Sequence, residues 1–147
     1  MNNEIYGYIL LLTPVVLGMG SGLLLRNKPI SKVKSKLNPP SWLFGVVWPI
    51  LYLLLGYSSY LIFNSNSSSK YTYLAIYIVH IVLLTAWWPY FIYFPNKYVA
   101  TFSLIFLFLY AIILSVLFST INKTASYCLI PYIIWLSFAS YLSYNIE

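Results

Sequence analysis

Long apolar runs separated by short polar breaks dominate this chain. Five runs stand out, at about Ile5–Leu25, Trp42–Phe63, Tyr71–Phe94, Tyr98–Ile121 and Thr124–Ile146. Each meets the ~20 residues that a helix needs to cross a bilayer at 1.5 Å per residue. The breaks read "RNKPISKVKSKLNPPS", "NSNSSSK", "PNK" and "NK", which is turn and cap chemistry. The pattern predicts an all-α membrane protein, a five-transmembrane-helix bundle, as a single domain over residues 1–147. No internal repeat is visible.

Composition supports lipid as the solvent. Hydrophobic residues make up 61% of the chain and charged residues 7%, where a soluble domain carries about 25% charged. The net charge is +6, and Arg26, Lys28, Lys32, Lys34 and Lys36 supply most of it from one loop. Beside membrane helices such a cluster is a topology signal and a contact for anionic headgroups. With no separate folded domain behind it, nucleic acid is not an expected partner. Alternating spans put six basic residues (the cluster and Lys97) on one side, against Lys70 and Lys123 on the other. The positive-inside rule then predicts an external N-terminus and a cytoplasmic basic loop and C-terminus. Two glycosylation-type triplets, at Asn66 and Asn122, fall on the predicted outer side. The first run lacks a basic leader and a clear cleavage site, so it is expected to be a retained helix. Cys128 is the only cysteine, which excludes an internal disulfide.

Much chemistry is excluded. The chain has no Asp, and its two Glu residues, Glu4 and Glu147, lie at opposite ends. No carboxylate pair is available for acid–base catalysis, no residue cluster for a metal, and no buried acid for an ion pathway. His80 is the one histidine, deep in the third run. Three readings of it stay open: a neutral histidine bonded to a neighbouring helix, a ligand contact, or an axial ligand. The 4-3-4 spacing of His80, Leu84, Trp87 and Phe91 places them on one helical face.

Aromatics are 20% of the chain. Phe44, Trp48 and Tyr52 recur four apart in the second run, as do Trp87 and Phe91 in the third. Trp135, Phe138, Ala139 and Leu142 share a side of the fifth. Trp42 and Trp88 suit an interfacial belt. Trp48 and Trp135 lie deeper, where an indole wants a partner for its N–H or a cavity face. Prolines inside four runs (Pro14, Pro49, Pro89 and Pro131) predict bent helices. Pro39 and Pro40 are expected in the first turn of the second helix, which tolerates proline. The small residues from Gly18 to Gly22 allow close approach of a helix, or a lowered wall beside a ligand.

Three ordered stretches resemble the TspO/translocator protein family of tryptophan-rich sensory proteins. They are "PPSWLFGVVWPILYLLLGYSSYLIF", "LLTAWWPYFIYF" and "LIPYIIWLSFASYLSYN". The resemblance implies a five-helix bundle, often a homodimer, with a pocket closed by the first loop. It implies a porphyrin or another flat apolar molecule as ligand, no required cofactor and no metal. Animal members bind cholesterol and synthetic ligands, and some bacterial members promote light-dependent porphyrin breakdown. Carried over by position, the pocket tryptophans are Trp48, Trp87 and Trp135. The neighbouring walls are Gly22, Phe44, Gly45, Val47, Phe91, Ala139 and Leu142, with His80 and Ser143 beside them.

The departures from the family pattern are specific. Leu84 and Ser143 stand where the family has Asn, Ile92 where it has a second Phe, and Ser103 where many members are acidic. The first loop lacks the usual aromatics, and Tyr144 is followed by no basic residue, as an animal-type sterol pattern would require. A receptor or carrier for a porphyrin-like ligand is the first reading. A light-dependent porphyrin-degrading enzyme using Trp48 and Trp135, a sterol or lipid translocator, and a non-binding scaffold are the alternatives.

Overall fold

A computed structural model describes residues 2–25, 37 and 39–146. The basic cluster at 26–36, the first-loop lid and Glu147 lie outside the described residues. Five helices run α1 (Asn2–Leu24), α2 (Ser41–Phe63), α3 (Lys70–Tyr93), α4 (Lys97–Ser119) and α5 (Lys123–Tyr144). All five are long and apolar enough to cross a membrane. Observed ends differ from the sequence reading by at most three residues, mainly because each helix begins earlier than its apolar run.

Local chemistry explains those starts. Asn96 caps α4 by accepting from the amides of Tyr98 and Val99 at 3.0 and 3.2 Å. Asn122 caps α5 by accepting from the Ala125 amide at 3.1 Å. Each satisfies orphan donors of the first turn. Pro40 sits at the N-cap of α2 in extended conformation (φ −60°, ψ 138°). The expected first-turn position is therefore corrected: Pro39 and Pro40 both precede α2, and the Pro40 carbonyl accepts from the Leu43 amide at 3.0 Å. The α2–α3 turn is held by Lys70, whose Nζ donates to the carbonyls of Phe63 (2.9 Å) and Ser65 (3.0 Å).

The helices close into a ring in the order α1, α2, α5, α4, α3, with α4 on α5 as the most extensive pairing. In lipid, apolarity cannot tell inside from outside, so size and hydrogen bonding do. On α4, Ala100, Leu104, Leu107, Ala111, Leu114 and Phe118 are buried, while Phe102, Leu109, Ile113 and Val116 are exposed on the far side. Polar side chains stitch the ring. Tyr77 Oη donates to the Leu55 carbonyl at 3.0 Å (α3–α2), and Ser58 Oγ to that of Ala125 at 2.8 Å (α2–α5). Tyr110 Oη donates to the Ile76 carbonyl at 2.6 Å (α4–α3), and Ser115 and Ser126 pair at 2.8 Å (α4–α5).

The α1–α2 seam packs small residues against large ones. A Cβ on Gly56 would collide with the backbone carbonyl of Leu11, and one on Gly7 would come within 3.2 Å of the Tyr60 ring. Of the Gly18–Gly22 stretch only Gly18 serves this role, since it faces the Tyr52 ring. A Cβ on Gly20 or Gly22 would meet nothing within 4 Å. Of the two uses open to this stretch, close approach of a helix is the one seen at Gly18.

Candidate functional site

Packing of α2 on α5 gathers the first group of predicted residues. Phe44, Val47 and Trp48 lie in the first two turns of α2, and Trp135 and Ala139 one turn apart on α5. Trp48 and Trp135 meet edge to face, with centroids 6.2 Å apart and planes at 85°. Phe44 approaches Trp135 in the same way, at 5.7 Å and 76°. Tyr52 stacks on Trp48 at 5.4 Å, and Phe138 lies 5.4 Å from Trp135. These are the offset and edge-on geometries that ring quadrupoles favour. Val47, Trp48, Trp135 and Ala139 all pack, partly buried, on the central core.

One polar atom in this nest is unsatisfied. The Nε1 of Trp135 is buried with no hydrogen-bond partner among the described residues. Burying such a donor unpaired costs about 1–3 kcal/mol, and native structures seldom tolerate it without a reason.

A second group forms between α3 and α4. Trp87 stacks on Phe91 with centroids 5.6 Å apart and planes at 2°. Its Nε1 donates to Ser103 Oγ at 2.9 Å, which fixes the indole against α4. Ser103 Oγ also lies 2.7 and 2.9 Å from the carbonyls of Val99 and Ala100. Sequence reasoning marked Ser103 only as a lost acid and missed it as the anchor of Trp87. Its residue number carries no trace of that pairing, which the α3–α4 turn creates. Trp88, placed in an interfacial belt by sequence, is partly buried with its ring centroid 6.1 Å from that of Trp87. Trp42 is exposed, as such a belt requires.

His80 occupies the core. It is fully buried, its Nε2 is 2.8 Å from the Tyr132 hydroxyl, and its ring centroid lies 4.8 Å from that of Tyr110. Nδ1 is buried and unpaired. The bond to a neighbouring helix, one of the three open readings, is present. Leu84 and Phe91 are buried on the same face of α3, and Trp87 is half-buried beside them.

The remaining predicted residues divide. Leu142 and Ser143 are buried near the end of α5, and Ser143 Oγ accepts from Thr101 Oγ1 at 3.3 Å. Ser143 is thus engaged with α4. Gly22 and Gly45 are exposed, and among the described residues nothing lies within 4 Å of where a Cβ would stand. Among the described residues, no three His, Cys, Asp or Glu gather as metal ligands would.

The TspO/MBR family model matches residues 10–147. The chain belongs to this family. A tryptophan-rich protein TspO of Chlorobaculum tepidum is 28% identical over 116 residues, covering 78% of this chain and 73% of that one. A translocator protein homolog of Schizosaccharomyces pombe is 30% identical over 138 residues, covering 90% and 84%. The human translocator protein is 30% identical over 114 residues, covering 76% and 68%. Family membership and five membrane-length helices together define a multi-pass membrane protein of the TspO/MBR family.

Proposed function

We propose that this chain is a membrane receptor or carrier that holds a flat apolar ligand of the porphyrin class against the aromatic nest of α2 and α5. The observation that carries the reading is the buried, unpaired Nε1 of Trp135, set among Phe44, Trp48 and Phe138. Indole and phenyl faces give a flat ligand apolar burial and stacking, and a single donor gives it orientation. A macrocycle that brings a carboxylate, carbonyl or ring nitrogen to Trp135 would satisfy that donor. Trp87 and Phe91 supply a further stacked wall, and Gly22 and Gly45 are included as walls by their match to the family pattern. His80 contributes through Tyr132, which stands one turn before Trp135 on α5. The proposal includes a homodimer in the membrane.

The test is a protoporphyrin titration of the purified protein in detergent, in the dark, followed by tryptophan quenching and porphyrin absorbance. Saturable binding that Trp135→Leu weakens supports the reading. Equal, non-saturable partitioning into both proteins overturns it. The edge-on contact of Trp48 and Trp135 favours a light-dependent extension, in which these indoles exchange electrons with the illuminated porphyrin. Illumination in air would then yield a spectral product absent from porphyrin in detergent alone.

A further inference from the structure

The aromatic nest rests on a helix that contributes no aromatic to it. Gly18 of α1 is buried, and a Cβ built there would collide with three atoms of the Tyr52 ring. Tyr52 stacks on Trp48, with centroids 5.4 Å apart and planes at 27°. Trp48 in turn meets Trp135 edge to face at 6.2 Å. Contacts thus run without a gap from the backbone of α1, through two rings of α2, to the indole of α5 whose N–H is unpaired. Tyr52 and Trp48 are one turn apart on α2, so a Tyr52 ring displaced from Gly18 changes the stacking that holds Trp48.

We propose that Gly18 is a positioning residue for the ligand site. By leaving room for the Tyr52 ring it fixes the Trp48 indole edge-on to Trp135. The shape of the site is then set by how closely α1 approaches α2, although α1 itself need not touch the ligand through Gly18. Gly20 and Gly22, in the same stretch and with open space around them, have no such role. The proposal rests on the ligand site described above, but its geometry can be read in the unliganded protein.

The experiment uses full-length protein carrying 5-fluorotryptophan in detergent, with the Trp48, Trp87 and Trp135 fluorine resonances assigned by single Trp→Phe changes. Gly18→Ala, Tyr52→Leu and the double variant are compared, first without ligand and then in a dark protoporphyrin titration. Gly18→Ala is expected to shift the Trp48 and Trp135 resonances and leave Trp87 in place. It is expected to weaken protoporphyrin binding about tenfold, within the range of coupling that contacting residues show. The double variant is expected to match Tyr52→Leu alone in both readouts, because removing the ring removes the clash. Should Gly18→Ala fail to fold, the double variant decides: Tyr52→Leu must restore folding and give the resonances of Tyr52→Leu alone. Unmoved Trp48 and Trp135 resonances in folded Gly18→Ala, additive effects in the double variant, or a double variant that also fails to fold, overturn the positioning role. A wild type that does not bind protoporphyrin saturably overturns the ligand reading instead, while the fluorine shifts still test Gly18.

Discussion

At Trp135, the stability of the free protein and the affinity for ligand are expected to move in opposite directions. Its indole N–H is buried without a partner, so the free protein carries a desolvation cost that a bound acceptor would remove. Trp135→Phe keeps a ring beside Trp48 and Phe44 but deletes the donor. The expected outcome is unchanged or slightly raised thermal stability without ligand, together with protoporphyrin binding weaker by about 1–2 kcal/mol, the worth of one hydrogen bond to a charged or polar acceptor. Thermal unfolding and a dark titration of the same preparation check both halves. A tryptophan that served packing alone would lose stability and leave affinity untouched. The depth of Trp48 and Trp135 in their runs was readable from sequence, because interfacial anchoring belongs to helix ends. The missing partner of Trp135 was not, since it depends on what neighbouring helices fail to offer. The same limit applies to His80. Its burial was expected, but its bond to Tyr132, 52 residues away, exists only once α3 and α5 share a core.

Between α1 and α2 the discriminating quantity is backbone distance. Gly56 lies so close to the Leu11 carbonyl that no Cβ fits, and backbone cannot swing aside as a side chain can. Gly56→Ala is expected to cost about 1–3 kcal/mol, as overpacking does. Gly22→Ala, with nothing within 4 Å of its Cβ, is expected to stay within about 0.5 kcal/mol of wild type. Thermal unfolding of both variants in one detergent checks the contrast, and equal losses would contradict the seam. Helix number and extent were legible because membrane thickness sets a length that any long apolar run must meet. The Asn caps were legible at Asn96 and Asn122. Which glycines meet a neighbour was not. Gly18 and Gly22, four apart, share a face of α1 and Gly20 turns away, yet only Gly18 stands where a ring of α2 reaches it; spacing marks the face and not the neighbour, and apolarity marks neither when the surrounding solvent is lipid. Hydrogen-bonding side chains such as Ser58, Tyr77 and Ser126 point inward instead, and they are the better sequence guide to the interior of such a bundle.

For the whole molecule, an odd number of crossings by the five membrane-length helices is expected to put the two ends of the chain on opposite sides of the membrane, with loop charge choosing which. Lys70 and Lys123 mark one side, and Lys97 with the basic residues of segment 26–36 marks the other. Two charges oppose six, so the end of the bundle bearing Trp48, Trp87 and Trp135 is expected to face the cytoplasm. A ligand entering from that side would meet the aromatic nest within about two helical turns, since Trp48 lies seven residues from the start of α2 and Trp87 six from the end of α3. Sidedness can be read with single cysteines in a Cys128→Ser background. Asn66→Cys, in the α2–α3 turn, is expected to react with a membrane-impermeant maleimide in intact cells. Pro95→Cys, in the α3–α4 turn, is expected to react only after permeabilisation. The inverse labelling would reverse the orientation. Neutralising all five basic residues between 26 and 36 gives the sharper test. It leaves one basic residue, Lys97, against two, so the bias vanishes or inverts, and both cysteines should then label in intact cells as a mixed population. If Pro95→Cys instead stays protected after neutralisation, the helices and their order of insertion, and not the loop charge, set the orientation. The basic segment would then be free for another task, such as holding anionic headgroups.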